Sequence, residues 1–142
     1  ANSSINTGFA VYNTANQSIP SGAATTLTFN TEEFDDGNAF AANTYTAPST
    51  GVYQFNATVV WNPFTVSGGY TDVEIYKNGI MIKQSVIPNP VVQFNSTETS
   101  VTVKLVTGDQ ITIRTFQNSG ANQNTLGSAS GVYTRFSGFR VY

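Results

Sequence analysis

The chain has 142 residues, a net charge of −2 and only 10% charged residues, and its six Lys and Arg are scattered, which excludes nucleic-acid binding through phosphate neutralisation. No apolar run of about 18 residues exists, so no helical membrane span is expected. With neither Cys nor His in the chain, disulfides, Cys–His and Ser–His nucleophiles, histidine acid–base chemistry and the usual zinc sites are excluded as well.

One domain is expected from the length, with residues 1–8, small and polar, as a flexible lead-in and residues 9–142 as the folded unit. The sequence begins at Ala1 with neither Met nor a signal peptide, as a mature or excised domain would. Phe9 to Tyr12 reads as the first strand and Thr25 to Phe29 as the second, with Leu27 and Phe29 on one face. Glu32-Glu33-Phe34-Asp35-Asp36-Gly37-Asn38 then holds half of the acidic residues, and its ordinary reading is a solvated loop. From Tyr45 to Trp61 two strands meet at a corner. Pro48 ends the first because it lacks an N–H, and Ser49, Thr50 and Gly51 supply the turn. Beyond it Tyr53, Phe55, Ala57, Val59 and Trp61 share one face and Gln54, Asn56 and Thr58 the other, the pattern of a strand with one face in a core.

Asn62-Pro63 and Ser67-Gly68-Gly69 mark loops, and Asp72 to Lys77 alternates with Val73 and Ile75 inward. Asn78-Gly79 is the strongest hairpin signal, since a type I′ turn needs two residues with positive φ. Ile80 to Val86 returns as its partner, and Pro88-Asn89-Pro90 breaks it. Thr99 to Leu105 places Val101, Val103 and Leu105 on one face; Thr107-Gly108-Asp109 turns the chain, and Gln110 to Phe116 follows with Ile111 and Ile113 inward. Residues 118–130 form a loop of Asn, Ser, Gly and Ala, and Val132 to Tyr142 is the last strand. No helical period and no repeat of 20–50 residues occurs, so nine or ten short strands predict an all-β sandwich. Strand counting leaves its topology open.

Few residues could carry chemistry. Glu32, Glu33, Asp35 and Asp36 could hold calcium, a hard cation that takes several carboxylate oxygens, but the spacing of an EF-hand loop is missing. A glycosidase needs two carboxylates facing across a cleft, which adjacent acids do not predict. Asp109 suits its turn by accepting backbone hydrogen bonds. Tyr12, Tyr70, Tyr76, Phe64 and Phe116 fall off the core face or in loops, where aromatics could stack on sugars or bury against another chain. Trp61, on the face of Tyr53 and Phe55, is expected in the core. Four Asn-x-Ser/Thr triplets, at Asn2, Asn16, Asn56 and Asn95, are no more than chance gives with this composition.

Four segments carry a resemblance. Thr46-Ala47-Pro48 with Gly51-Val52-Tyr53-Gln54-Phe55, then Lys77-Asn78-Gly79, then Leu105-Val106-Thr107-Gly108-Asp109-Gln110-Ile111, and finally Phe136-Ser137-Gly138-Phe139 resemble, in order, signatures of the globular head of complement C1q and its tumour necrosis factor relatives. The resemblance implies a ten-stranded jelly-roll sandwich with its termini close together, and places the acidic stretch in a linker before the Thr-Ala-Pro strand. It also implies a homotrimer, with Tyr12, Tyr70, Tyr76 and Phe116, joined by Phe136 and Tyr142, as interface or binding residues. In several members an Asp before the Gly-Asp strand helps bind calcium near the threefold axis. Asn95 stands at that position here, so Asp35, Asp36 and Asn95 are the weak metal candidates and no cofactor is the primary expectation. The reading reached is a non-catalytic, trimerising head, secreted or exposed on a spore, cell or virion surface, that recognises a glycan or protein ligand. The alternative is a monomeric carbohydrate-binding module of the sandwich type.

Overall fold

The structure, a computed structural model, describes residues 7–66, 68–88 and 93–142. Within them thirteen strands, numbered β1 to β13 in chain order, and no helix form two antiparallel sheets. The first sheet holds β1 (Phe9–Tyr12), β2 (Gln17–Ile19), β4 (Thr31–Asp35), β7 (Gly51–Trp61), β10 (Asn95–Leu105), β12 (Gln123–Thr125) and β13 (Arg135–Arg140). The second holds β3 (Thr25–Thr26), β5 (Phe40–Ala41), β6 (Thr44–Thr46), β8 (Tyr70–Lys77), β9 (Ile80–Pro88) and β11 (Gln110–Gln117). Thirteen pieces replace the ten expected because several segments pair over only two or three residues.

β7 is the organising strand. β10 pairs with it along its whole length, from Gly51 opposite Leu105 to Trp61 opposite Asn95. Its other edge takes β13 and, at Trp61, β12. Tyr53, Phe55, Ala57, Val59 and Trp61 point inward as the alternation requires, none more than 2% exposed. They meet Val73 and Ile75 of β8 and Ile111 and Ile113 of β11. Phe9 is the aromatic hub, 4.4 Å from Tyr45 and 4.9 Å from Phe136, ring centre to ring centre. Each such ring withdrawn from water contributes roughly 1.5–3 kcal/mol.

The signature segments touch one another. The amide of Ala47, in Thr-Ala-Pro, donates to the carbonyl of Asp109, and the amide of Gly108 donates to the carbonyl of Ala47, both at 2.8 Å. Tyr53 Oη donates to the carbonyl of Ser49 at 2.7 Å, fastening the corner ahead of β7. Gly138 of Phe-Ser-Gly-Phe pairs across strands with Phe55, and a Cβ there would run into the Phe55 ring. The hairpin turn has φ of 50° at Asn78 and 81° at Gly79, both positive as a type I′ turn requires.

Several expectations change, among them the loop expected over residues 118–130, which holds β12, and the last strand, which is shorter than expected. The acidic stretch is not a linker: Thr31–Asp35 is β4, which pairs with β1 and covers its free edge. Thr7, expected in a loose lead-in, is buried; its carbonyl accepts from Tyr45 Oη and its Oγ1 from the amide of Arg140, which brings the two ends of the described chain together. Residues 1–6 of that lead-in, with Asn2, lie outside the described residues, as do Ser67 and Asn89-Pro90. Phe64 is buried against Trp61, with ring centres 5.2 Å apart, rather than off the core. Finally, β10 begins at Asn95, earlier than expected, because Thr97 and Thr99 continue its inward row.

Candidate functional site

The first sheet turns a flat outer face to solvent. One row across it reads Phe34, Ala10, Ser137, Asn56 and Ser100, from β4 to β10; the next includes Phe139, Gln54 and Thr102. These side chains are small or amides apart from Phe34 and Phe139, which are 42% and 47% exposed. Gln54 accepts from Thr102 Oγ1 at 2.6 Å and donates to Asn56 at 3.3 Å, so the amides hold one another flat. Tyr12 lies beside this face, half-buried beneath Arg135, whose guanidinium is 5.7 Å from the ring centre. A second surface lies along β9, the edge strand of the second sheet, where Val86 and Met81 stand opposite Asp72 and Tyr76 on that sheet's outer face. Ile80, Met81 and Val86 of β9 and Phe94, just before β10, are all at least 40% exposed.

The outer face of the second sheet carries a buried polar cluster. Asp72 and Glu74 of β8 are almost fully covered. Asp72 accepts from the amide of Phe116 at 2.8 Å and from Gln84 Nε2 at 2.7 Å, while Glu74 accepts from Tyr76 Oη at 2.9 Å. Burial, then a hydrogen bond shared with Glu74, raises the Asp72 carboxyl to about 7. Burial likewise raises Tyr76. The Arg114 guanidinium lies 4.1 Å over the Tyr76 ring centre, and Tyr70 stacks on Phe116 at 5.2 Å beside the cluster.

The six aromatics singled out in the sequence therefore do not converge. Tyr12 lies by the first sheet's outer face, Tyr70, Tyr76 and Phe116 lie on the second sheet, and Tyr142 lies at the end of the sandwich where the termini meet. Phe136 is fully buried, with its ring among Phe9, Phe29, Phe40 and Phe55; its side chain fills the protomer core and offers no surface to a partner. Phe34, Phe139, Met81 and Val86 escaped notice. Alternation along the last strand, with Phe136 inward, would have put Phe139 outward. Phe34 was hidden by reading its stretch as a loop.

The metal candidates are also dispersed. Asp35 receives the amides of Ala39 and Phe40 at 3.0 and 2.9 Å and so closes the turn after β4. Asp36 is exposed. Asn95 is on β10, at the opposite edge of the sheet from β4, four strand spacings or about 19 Å across and, in addition, six residues along β10 from Val101, which shares the row of Asp35. Among the described residues no three acidic side chains gather as a metal site would need.

Comparison with known proteins accords with this geometry. The globular domain of zebrafish complement 1qA superposes with a TM-score of 0.70 at 16% identity, covering 96% of this chain and 98% of that one. Eiger, a tumour necrosis factor from S. frugiperda, gives 0.71 at 10% identity, covering 98% and 94%. Murine APRIL at pH 5.0 gives 0.69 at 16%, covering 96% and 99%. At these identities the likeness is one of fold. No curated protein matches the chain by sequence. The family profile of the C1q domain matches residues 8–141, and the chain belongs to the C1q domain family.

Proposed function

We propose that this domain is a non-catalytic head that assembles as a homotrimer on the outside of a cell, spore or virion and presents its loops to a glycan or protein ligand. The observation that carries the reading is the pair of unlike surfaces on one protomer: the apolar edge of Met81, Val86 and Phe94, and the flat outer face with Phe34 and Phe139. A contact between non-identical patches is heterologous, and with a threefold rotation it closes into a ring. Three copies would bury each edge on a neighbour's face, driven by removal of apolar surface from water. Tyr12, beside that face, would join the contact. Tyr70 and Phe116 would remain outside it, available to a ligand, whereas Tyr76 is buried beneath Arg114 and offers a ligand no surface.

Light scattering after size exclusion tests this directly. A mass near three times 15.2 kDa is expected for the native domain, and Val86→Asp should release folded monomer. A monomeric native domain would refute the assembly, and the Tyr70–Phe116 stack would then be tested as a sugar platform by glycan array.

A further inference from the structure

The end of the sandwich where the termini meet holds a cleft of about 740 Å³ whose lining includes Lys77, Lys104, Arg140, Val52, Leu105 and Tyr142. Half of the chain's six cations thus converge on one cavity of a molecule whose net charge is −2. Asp109 is the acidic side chain in the lining. Its carboxylate is already engaged, accepting from Asn78 Nδ2 and the Val106 amide, both at 2.9 Å, with Lys77 Nζ at 3.8 Å. The Asn78 hydrogen bond, then that of Val106, holds it below the usual carboxylate range. Three cations less one carboxylate leave the side chains of the cleft at +2.

Arg140 is placed rather than loose. Its side chain lies across Gly51, where a Cβ would collide with Nε and would also come within 2.7 Å of the Tyr142 carbonyl oxygen. That Nε is buried with no hydrogen-bond partner among the described residues. The ion pairs among those residues are Lys77–Asp109 and Arg135–Glu33, so Lys104 and Arg140 have no carboxylate of their own. An orphaned guanidinium donor is costly unless something accepts from it.

We propose that this cleft binds a small phosphate or sulfate ester. An anion suits this excess of cationic side chains, a phosphate monoester bringing up to two negative charges and a sulfate ester one, and a tetrahedral oxyanion offers the paired acceptors that a guanidinium fork takes bidentately, with the lysines as point charges beside it. Val52, Leu105 and Tyr142 form an apolar wall for the organic part of the ester. The volume is that of a small-molecule site.

The test is a titration of the full chain followed by amide NMR shifts at Val52, Lys104 and Leu105, with p-nitrophenyl phosphate, p-nitrophenyl sulfate, inorganic phosphate and neutral p-nitrophenyl glucoside as probes. The esters should saturate these shifts, bind more tightly than inorganic phosphate, and outcompete the glucoside. Arg140→Gln should weaken ester binding by about tenfold or more, the loss expected for a charge-assisted hydrogen bond. Lys104→Gln, at an exposed position, should weaken it severalfold with the fold intact, and Lys83→Gln, outside the cleft, should leave it unchanged. The absence of saturable ester shifts, unchanged affinity in the Lys104 variant, or an equal loss in the Lys83 variant would overturn the assignment.

Discussion

Asp72 makes the domain's stability depend on pH in a direction opposite to that of a salt-bridged carboxylate. Asp72 and Glu74 lie two residues apart on β8, both nearly inaccessible to water, with Gln84 of β9, Tyr76 of β8 and Arg114 of β11 around them. A carboxylate so placed loses the hydration that favours its charged form. Burial and the hydrogen bond shared with Glu74 raise Asp72 from 3.8 to about 7. Between those values the folded state holds more protons than the unfolded state, so stability is greatest below the unfolded value and is lost as pH rises through the folded one. The full shift corresponds to about 4 kcal/mol, and we expect a loss of about 2–4 kcal/mol. That is a large part of the roughly 5–15 kcal/mol that holds a domain together. Asp72→Asn removes the titration while keeping an acceptor for the Phe116 amide, and Gln84 can turn its amide to face the new donor. Urea unfolding across roughly pH 4 to 8 should show native stability falling with pH and the variant's nearly level. Parallel pH profiles for the two proteins would refute this account of Asp72.

Other consequences are simpler to read. Phe136→Ala empties the centre of the aromatic core and should cost about 3–5 kcal/mol in denaturant unfolding. Gly138→Ala pushes a methyl group into Phe55 and should cost about 1–3 kcal/mol by overpacking, measured the same way. Gly79→Ala meets open space but must hold a φ of 81°, so about 1 kcal/mol of backbone strain is expected. Glu33→Ala removes an exposed ion pair to Arg135 and should change stability by less than about 1 kcal/mol.

The parts of the fold that were legible are those where a residue has one physical reason to be where it is. The alternation from Tyr53 to Trp61 could only be a strand with a buried face, and Asn78-Gly79 could only be a tight hairpin. The acidic stretch was misread because hydrogen bonding across the chain overrode local composition: β1 left an edge open, and Thr31–Asp35 closed it although its side chains are largely exposed. Phe64 and Phe136 were misplaced for a related reason, since loop composition and family analogy say nothing about which ring a neighbouring Trp61 or Phe9 will enclose. The Asp72–Glu74 pair was beyond reach. An outward position on an alternating strand implies solvent, and only the covering by Gln84, Tyr76 and Arg114 makes it an interior.

The signature residues therefore account for the scaffold and say little about what the domain would bind. Ala47 and Asp109 bond to one another, Gly138 makes room for Phe55, and Asn78 ties the two turns at the same end by accepting from the Gln110 amide at 2.8 Å. Each is fully used in holding strands together. The features free to differ in function are those that no packing constraint demands. Phe34 and Phe139 expose apolar rings that a lone protomer gains nothing by exposing, and Lys104 and Arg140 carry charge toward a cleft with no partner of their own. Gly51 serves both sides of this division: it begins the organising strand, and its bare backbone is the bed on which Arg140 lies. A methyl group there would disturb the scaffold and the cleft together, whereas Lys104→Gln disturbs the cleft alone, which is why the exposed lysine, not the signature glycine, separates binding from folding.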